Sequence, residues 1–237
     1  GTISDLKTAI AMAHNAGALV FVDAVHYAPH ALIDVRELDC DFMGMSAYKF
    51  YGPHIGMLFA KRALLEEIDF PKLVPAPDYA PENAETGTQN HEGIVGAAAA
   101  VEYLASLGSG VNLREGLRSA FRETHLRNRP LLNRLWNALS AMPRVTLYGP
   151  PPDSARTPTL AFTIEGCASR DAARRLAERG LFLSHGDFYA LTIVQRLGLG
   201  PEGLIRAGCA IYTTEDEIER LIDGVNHICK QPVSSAL

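Results

Sequence analysis

The sequence predicts an α/β protein whose C-terminal part is a smaller α+β domain. The first observation is residues 18–22, a continuous apolar run after a helical face and a glycine link, as in half of a βαβ unit. The second is a pair of apolar runs, 43–47 and 55–60, which predict two strands separated by a tight turn. The third is the alternation of short strand-like and helix-like segments after Pro143, which is typical of an α+β domain.

Residues that start or stop regular structure bound each predicted element. Ser4 is the predicted N-cap of the first helix. Gly108-Ser109-Gly110 divides the chain into two predicted domains, residues 1–108 and residues 109–237, and the second begins with a long linking helix. The other predicted helices are 63–68, 91–107, 111–142, 169–179, 189–197 and 214–229, and the other predicted strands are 159–164, 181–184 and 204–212.

The composition favours a soluble cytoplasmic protein and sets aside several classes of partner. The 237 residues are 47% hydrophobic and 21% charged, with a net charge of -5 and no long run of one sign, so nucleic acid is not expected. No apolar stretch approaches a membrane span, and the N-terminus does not read as a signal peptide, so no membrane partner is expected. The four cysteines lack a CxxC pattern, which favours reduced thiols over a disulfide framework or zinc site. No metal site is predicted, because Pro29 interrupts the helical spacing of His26 and His30.

Lys49 and Asp23 each follow an apolar run that predicts a strand. Lys49 precedes a Gly-Pro turn, and apolar surroundings there would favour the free amine, which is a nucleophile. Asp23 stands at the carboxyl end of the first predicted strand, the edge at which open α/β sheets bind ligands. An exposed lysine at a strand end and an ordinary turn aspartate are the alternative interpretations.

Thr88 and Arg206 are two further candidate binding residues. Thr88 follows Gly87 at the end of a proline-rich loop, where its hydroxyl and amide could meet a phosphate, although most Gly-Thr pairs are ordinary turns. Arg206 lies inside an apolar strand, so its guanidinium needs an anionic partner. That partner is either an internal carboxylate or the carboxylate of a substrate.

These segments together resemble the class V aminotransferase family of pyridoxal-phosphate (PLP) enzymes, in its cysteine desulfurase-like branch. Each piece is weak alone, but the ordered set spans nearly the whole chain. The matching pieces are Val22-Asp23-Ala24-Val25-His26, Ala28-Pro29-His30, Ile33-Asp34-Val35, Asp41-Phe42, Ser46-Ala47-Tyr48-Lys49, Tyr51-Gly52-Pro53-His54-Ile55-Gly56, Glu85-Thr86-Gly87-Thr88-Gln89-Asn90, Leu204-Ile205-Arg206 and Tyr212-Thr213-Thr214-Glu215.

The resemblance implies a PLP-dependent transferase of fold type I, in which the first domain is part of the large parallel or mixed-sheet domain. It also implies a homodimer acting on an amino acid. The resemblance implies that Lys49 forms a Schiff base with PLP, that Asp23 pairs with the pyridine nitrogen and that His26 hydrogen-bonds the ring oxygen. It implies that Ser46 holds the phosphate, with Tyr48 close to it in the sequence. It also implies that Thr88 reaches the phosphate in the partner subunit and that Arg206 binds the substrate carboxylate.

The sequence departs from the desulfurase pattern in two places. Residues 184–191 contain no cysteine where desulfurases carry their nucleophile, and Cys209 is a poor substitute, so aminotransferase, epimerase and lyase reactions without a persulfide stay open. A sulfur-acceptor partner is likewise unproven. The family's N-terminal part has no counterpart before Gly1, so we expect a fragment, and a truncated non-catalytic remnant that acts as an interaction module is the other alternative.

Overall fold

The first sheet contains three strands, and two of them run parallel. A computed structural model describes residues 1–85 and 87–232. Strand β1 pairs parallel with β2, and β2 pairs antiparallel with β3, which gives the order β1-β2-β3. The elements up to this sheet and around it are α1 (Leu6–Asn15), β1 (Phe21–Asp23), α2 (Val35–Leu38), β2 (Phe42–Ser46), β3 (Gly56–Ala60), α3 (Arg62–Glu67), α4 (His91–Ser106) and α5 (Leu113–Ser140).

Helix α1 and strands β1 and β2 enclose a small apolar core. Apolar residues on one face of α1 and on the buried positions of the strands meet there, which is the burial that the helical and strand periodicities predict. Its fully buried members are Ile10, Val22, Ala24, Cys40 and Met43. The sheet therefore fixes the carboxyl ends of β1 and β2 as neighbours on one edge.

Three local predictions in this part of the chain are wrong. Asp5, not Ser4, is the N-cap of α1, because its carboxylate accepts the amide of Thr8 at 3.2 Å. Strand β1 begins at Phe21 rather than at residue 18, and Asp23 is its last residue. Helix α2, capped by the Asp34 side chain, occupies a stretch that the mixed charge pattern marks only as a connector.

The second sheet is antiparallel throughout, with the order β4-β5-β7-β6. Alternate residues Leu160, Phe162 and Ile164 of β5 point into one core, which α5, α6 and α8 also line. Helix α8 starts with a capping box between Thr214 and Glu217. The elements are β4 (Val145–Tyr148), β5 (Thr159–Ile164), α6 (Ser169–Ala177), β6 (Ser184–Gly186), α7 (Leu191–Arg196), β7 (Leu204–Gly208) and α8 (Glu215–Lys230).

The predicted strand 181–184 is wrong in its position. Leu181 instead closes α6, because its amide donates to the carbonyl of Leu176, and pairing with β7 begins only at Ser184. Strand β7 ends at Gly208 rather than at residue 212, because the amide of Cys209 turns to the carbonyl of Pro158. Strand β4 has no counterpart among the predicted elements.

The chain divides into two compact units. The first unit is Ser4–Glu123, and the second unit comprises Gly1–Ile3 with the chain from Thr124 onward. The predicted domain boundary between residues 108 and 109 stays a prediction. Within the described residues, none of the helices has the length and apolar character that a transmembrane span requires. The predicted α/β fold class, with a mixed sheet and a C-terminal α+β part, is confirmed.

Candidate active site

Lys49 lies in a short 3₁₀ helix, Ala47–Phe50, that connects β2 to β3. The backbone of this connection is held at both ends: the amide of Ala47 donates to the carbonyl of Ile55, and the amide of Gly52 donates to the carbonyl of Ala47, each at 2.9 Å. Ala47 and Phe50 are buried, whereas Lys49 is exposed. The fold therefore fixes the backbone under Lys49 and leaves its amine accessible.

The Gly-Pro turn after Lys49 depends on a glycine. A Cβ at Gly52 would lie 3.0 Å from the carbonyl oxygen and the Cβ of Ala47. Any larger side chain would therefore push the turn away from the start of the 3₁₀ helix. Pro53 is in turn packed against α4, because a Cβ at Gly96 would lie 3.0 Å from its ring.

Lys49 differs from the other lysines of the first unit in its partners. Each of the others forms an ion pair with one or more carboxylates: Lys7 with Glu37, Lys61 with Asp39 and Asp41, and Lys72 with Asp78. Within residues 1–85 and 87–232, Lys49 has no carboxylate at ion-pair distance. Its Nζ lies 4.9 Å from the centre of the Tyr48 ring, a cation–π distance.

Tyr48 is also in contact with a residue that the sequence did not single out as part of the site. Its ring stacks on His54 with the ring centres 4.9 Å apart and an angle of 15° between the planes. The Gly-Pro turn brings His54 back over Tyr48, a consequence of turn geometry that residue spacing alone does not reveal.

Asp23 and Ser46 end the two parallel strands β1 and β2. Asp23 is in register with Gly44, so the carboxylate lies near the carboxyl end of β2, where Ser46 leads into the Lys49 turn. Asp23 is exposed, and its Oδ1 accepts the amide of Val25 at 2.9 Å. Ser46 makes no capping hydrogen bond to the 3₁₀ helix. A carboxylate, a hydroxyl and an amine therefore share one edge of the sheet.

His26 is exposed in the loop that leaves β1, close to a second histidine. The ring centres of His26 and His30 are 5.2 Å apart in an edge-on arrangement. Burial, together with the charge of His26, lowers the pKa of His30 to about 4. His30 is thus neutral near pH 7 and partly buried, whereas His26 is exposed.

Thr88 is exposed in the segment before α4, and within residues 1–85 and 87–232 no hydrogen bond joins its side chain to another predicted site residue. Asn90, two residues on, caps α4 by accepting the amide of Gly93 at 2.9 Å. Thr86, which belongs to the same motif, lies outside the described residues.

Arg206 lies in the second unit, in the middle of β7. It faces Ser184 of β6 and Ala161 of β5 across the sheet, and it is half-buried. Burial lowers the pKa of its guanidinium below the usual value, although arginine stays charged at neutral pH. In the part of the chain that the structure describes, no carboxylate pairs with Arg206, so the internal salt bridge gains no support. Its guanidinium carbon instead lies 4.2 Å from the centre of the Phe188 ring.

The cysteines offer no accessible thiolate near Arg206. Cys209 follows β7 with only 3% of its surface exposed, and burial raises the pKa of its thiol to about 11. Cys40 is fully buried in the first unit, and burial raises the pKa of its thiol as well. Among residues 1–85 and 87–232, no group of three or more metal-binding side chains is close enough to hold a metal ion.

The side chains of the first unit fit PLP by their chemistry. An aldehyde needs an accessible amine, a pyridine nitrogen needs a carboxylate, and a phosphate needs hydroxyl and amide donors. Lys49, Asp23 and Ser46 supply these groups, and none of them forms an ion pair within the described residues.

Comparison with known proteins identifies the family. The profile described as "Aminotransferase class-V" matches residues 1–221. A cysteine desulfurase from Pectobacterium atrosepticum is 33% identical over 241 residues, which cover 96% of this chain and 55% of that protein. One from Escherichia coli O127:H6 gives the same values. The chain thus spans about half the length of the curated relatives that it matches.

Solved structures agree with the sequence comparison. The crystal structure of an Escherichia coli cysteine desulfurase superposes with a TM-score of 0.80 at 30% identity, covering 96% of this chain and 55% of the other. The desulfurase of Thermococcus onnurineus gives a TM-score of 0.83 at 24% identity over 97% of this chain and 57% of the other, a likeness of fold alone. The prediction of fold type I is confirmed. The chain belongs to the class V aminotransferase family, whose members depend on pyridoxal phosphate.

Proposed function

We propose that this chain acts as a PLP-dependent enzyme on an amino acid, in the manner of the cysteine desulfurase-like branch of its family. The observation that carries the proposal is Lys49: an accessible amine without a carboxylate partner among the described residues, on a backbone held by hydrogen bonds and buried neighbours.

Different residues of the first unit would bind different parts of the cofactor. When bound, PLP supplies an electron sink that stabilises negative charge on a substrate carbon. Lys49 would hold the cofactor through its Nζ, and the same amine would take and return the proton of the substrate Cα. Asp23 would pair with the ring nitrogen and His26 with the ring oxygen, while Ser46 and Tyr48 would lie at the phosphate.

Arg206 and Thr88 complete the proposed set. We propose that Arg206 binds the α-carboxylate of the amino acid, which accords with a half-buried guanidinium that has no internal carboxylate partner among the described residues. Thr88 would reach the phosphate of the partner subunit in a homodimer, which is supported by its exposed position and by the family. A cytoplasmic location is supported by four free cysteines.

The substrate is proposed from the relatives, and the reaction from the residues. Similar proteins are named cysteine desulfurases, so cysteine is the first amino acid to test. The cysteine-free loop 184–191 and the buried Cys209 argue for a reaction in which no thiol of this chain takes up sulfur. Transamination, epimerisation and elimination all satisfy that condition. No observation favours the interaction-module alternative.

The test is to bind PLP and fix it in place with borohydride, which reduces the covalent link to a stable secondary amine on lysine. We expect a visible absorption band on adding PLP, and after reduction a mass increase on the peptide that contains Lys49. Lys49→Ala should abolish both signals, whereas Lys7→Ala, which changes an exposed lysine paired with Glu37, should leave them intact. Mass fixed on another lysine, or an unchanged band in Lys49→Ala, would overturn the assignment.

A further inference from the structure

Arg206 is covered on one side by an aromatic ring from the loop that follows β6. The guanidinium carbon lies 4.2 Å from the centre of the Phe188 ring, well within cation–π range. Phe188 and Tyr189 both have left-handed backbone angles, with φ of 54° and 61°, which non-glycine residues rarely adopt. Strained backbone of this kind persists only where its surroundings hold it in place.

The loop that carries Phe188 is held at its start by a close contact with Gly203 and internally by two hydrogen bonds to Asp187. At its start, Gly203 comes so close to β6 that a Cβ there would lie 2.2 Å from the carbonyl oxygen of Gly186. Within the loop, the side-chain carboxylate of Asp187 accepts a hydrogen bond from the amide of Tyr189 at 2.9 Å. The backbone carbonyl of Asp187 accepts one from the amide of Ala190 at 2.8 Å. The position of the ring over Arg206 is therefore built into the local fold.

We propose that Phe188 is a positioning residue that orients Arg206 for a carboxylate, and that this pair makes the subsite selective for ligands with a free carboxylate. A ring on one face of a guanidinium restricts its rotation and removes water from that face, while the N–H groups stay available in the plane. A carboxylate pairs with those groups edge-on through two parallel hydrogen bonds, which a neutral amide cannot match. The inference rests on the proposed function only in taking the carboxylate to be that of an amino acid.

A kinetic double-mutant cycle tests the pair in the active enzyme. We expect Phe188→Leu to raise KM for an amino acid by about 2- to 10-fold, the range of one cation–π contact, while kcat stays within about twofold. The same change in an Arg206→Gln background should have no further effect on KM, because the group that it positions is gone. Phe188→Tyr, which keeps the ring, should retain the KM of the unchanged chain. Phe182→Leu is the matched control, since Phe182 is 85% exposed.

A second readout needs neither cofactor nor turnover. An arginine-selective dicarbonyl reagent, followed by peptide mass mapping, reports the accessibility of Arg206. We expect acetate and L-alanine to slow modification of Arg206, and acetamide and L-alaninamide not to do so. In Phe188→Leu this carboxylate protection should weaken by about 2- to 10-fold, as KM does.

The two readouts separate failure of the inference from failure of the proposed function. A chain that neither binds PLP nor turns over amino acids, yet shows carboxylate protection that depends on Phe188, would retain the subsite and lose the proposed function. Equal protection by carboxylates and amides, or protection and KM that do not change in Phe188→Leu, would overturn the inference whether or not the chain is active.

Discussion

At the scale of single residues, Cys209 decides whether this chain can take up sulfur on its own thiol near Arg206. Its side chain is enclosed by the core of the second unit, and burial raises the pKa of the thiol to about 11. Because the thiolate is the nucleophile, only roughly one molecule in ten thousand would carry a reactive Cys209 at pH 7. Cys167 is half-buried instead, with the guanidinium of Arg175 at 3.8 Å from its sulfur.

We therefore predict that thiol-reactive reagents label native Cys209 at least about 100-fold more slowly than Cys167 at pH 7, because burial and a raised pKa act in the same direction. Quantitative mass spectrometry of labelled peptides gives both rates, and labelling in denaturant, where all four thiols are exposed, is the control. Cys209→Ala should leave amino-acid turnover within about twofold of the unchanged chain. Loss of sulfide release from cysteine in Cys209→Ala, with the PLP absorption band intact, would contradict this and restore a persulfide route.

Other residues show where the sequence was informative about the site and where it was not. Asp23 and Lys49 could be predicted because each one follows an apolar run that predicts a strand, whereas Ser46 is assigned from the family resemblance. Phe188 could not, because its contact with Arg206 arises from left-handed angles at two non-glycine positions, which local preferences do not indicate. The roles assigned to these residues stay predictions.

At the scale of elements, one buried carboxylate connects α1 with the residue just before β1 and the residue just after β3. Asp41 accepts the ring N–H of His14 at 2.8 Å, the amide of Val20 at 2.7 Å and the ammonium of Lys61 at 3.0 Å. Burial alone would raise the pKa of Asp41, but these donors outweigh it and lower the pKa to about 2. The folded state therefore binds the proton less well than the unfolded chain, whose aspartate pKa is about 3.9.

The sign of the resulting pH dependence follows from that difference. Asp41 contributes its full stabilisation above the unfolded pKa, and it loses that contribution as the pH falls from about 3.9 towards 2. We predict that Asp41→Asn lowers the free energy of unfolding by about 1.5–3 kcal/mol at pH 7, the range for hydrogen bonds to a charged group. The difference in free energy of unfolding between Asp41→Asn and the unchanged chain should become smaller as the pH falls from about 3.9 towards 2.

Denaturant titrations at several pH values measure that gap. Asp69→Asn is the matched control, because Asp69 is exposed and its replacement should shift stability by less than about 0.5 kcal/mol. A gap between Asp41→Asn and the unchanged chain that stays constant from neutral pH down to pH 2 would exclude the ionised carboxylate as its source.

The elements also differ in how well the sequence defines them. Strand β5 has the predicted bounds, Thr159–Ile164, because alternate residues face one core over its whole length. The predicted strand 181–184 fails because its leucines pack against that core without pairing, so apolar content alone does not fix hydrogen-bond register. Strand β4 is four residues long, between Pro143 and the Gly149-Pro150-Pro151-Pro152 segment, and is too short for a periodicity to appear.

At the scale of the whole molecule, most of the proposed site residues belong to one of the two compact units. Lys49, Asp23, His26, Ser46, Tyr48 and Thr88 belong to the first unit, and Arg206 belongs to the second. Strands β1 and β2, which carry Asp23 and Ser46 and lead into the Lys49 turn, pack with α1 around one core of that unit. Cofactor binding should accordingly stabilise the first unit against unfolding.

A ligand that binds only the folded state raises the free energy of unfolding by about 2.7 kcal/mol at a concentration one hundred times its Kd. For a chain of this size that corresponds to a rise in Tm of roughly 5–10 °C. We predict a rise of this order on adding PLP, measured by thermal unfolding monitored by circular dichroism. Lys49→Ala should lose most of the rise, because the covalent attachment is gone, and Lys7→Ala should retain it. An equal rise in Lys49→Ala and the unchanged chain would mean that PLP binds without using Lys49, and no rise at saturating PLP would count against the cofactor proposal itself.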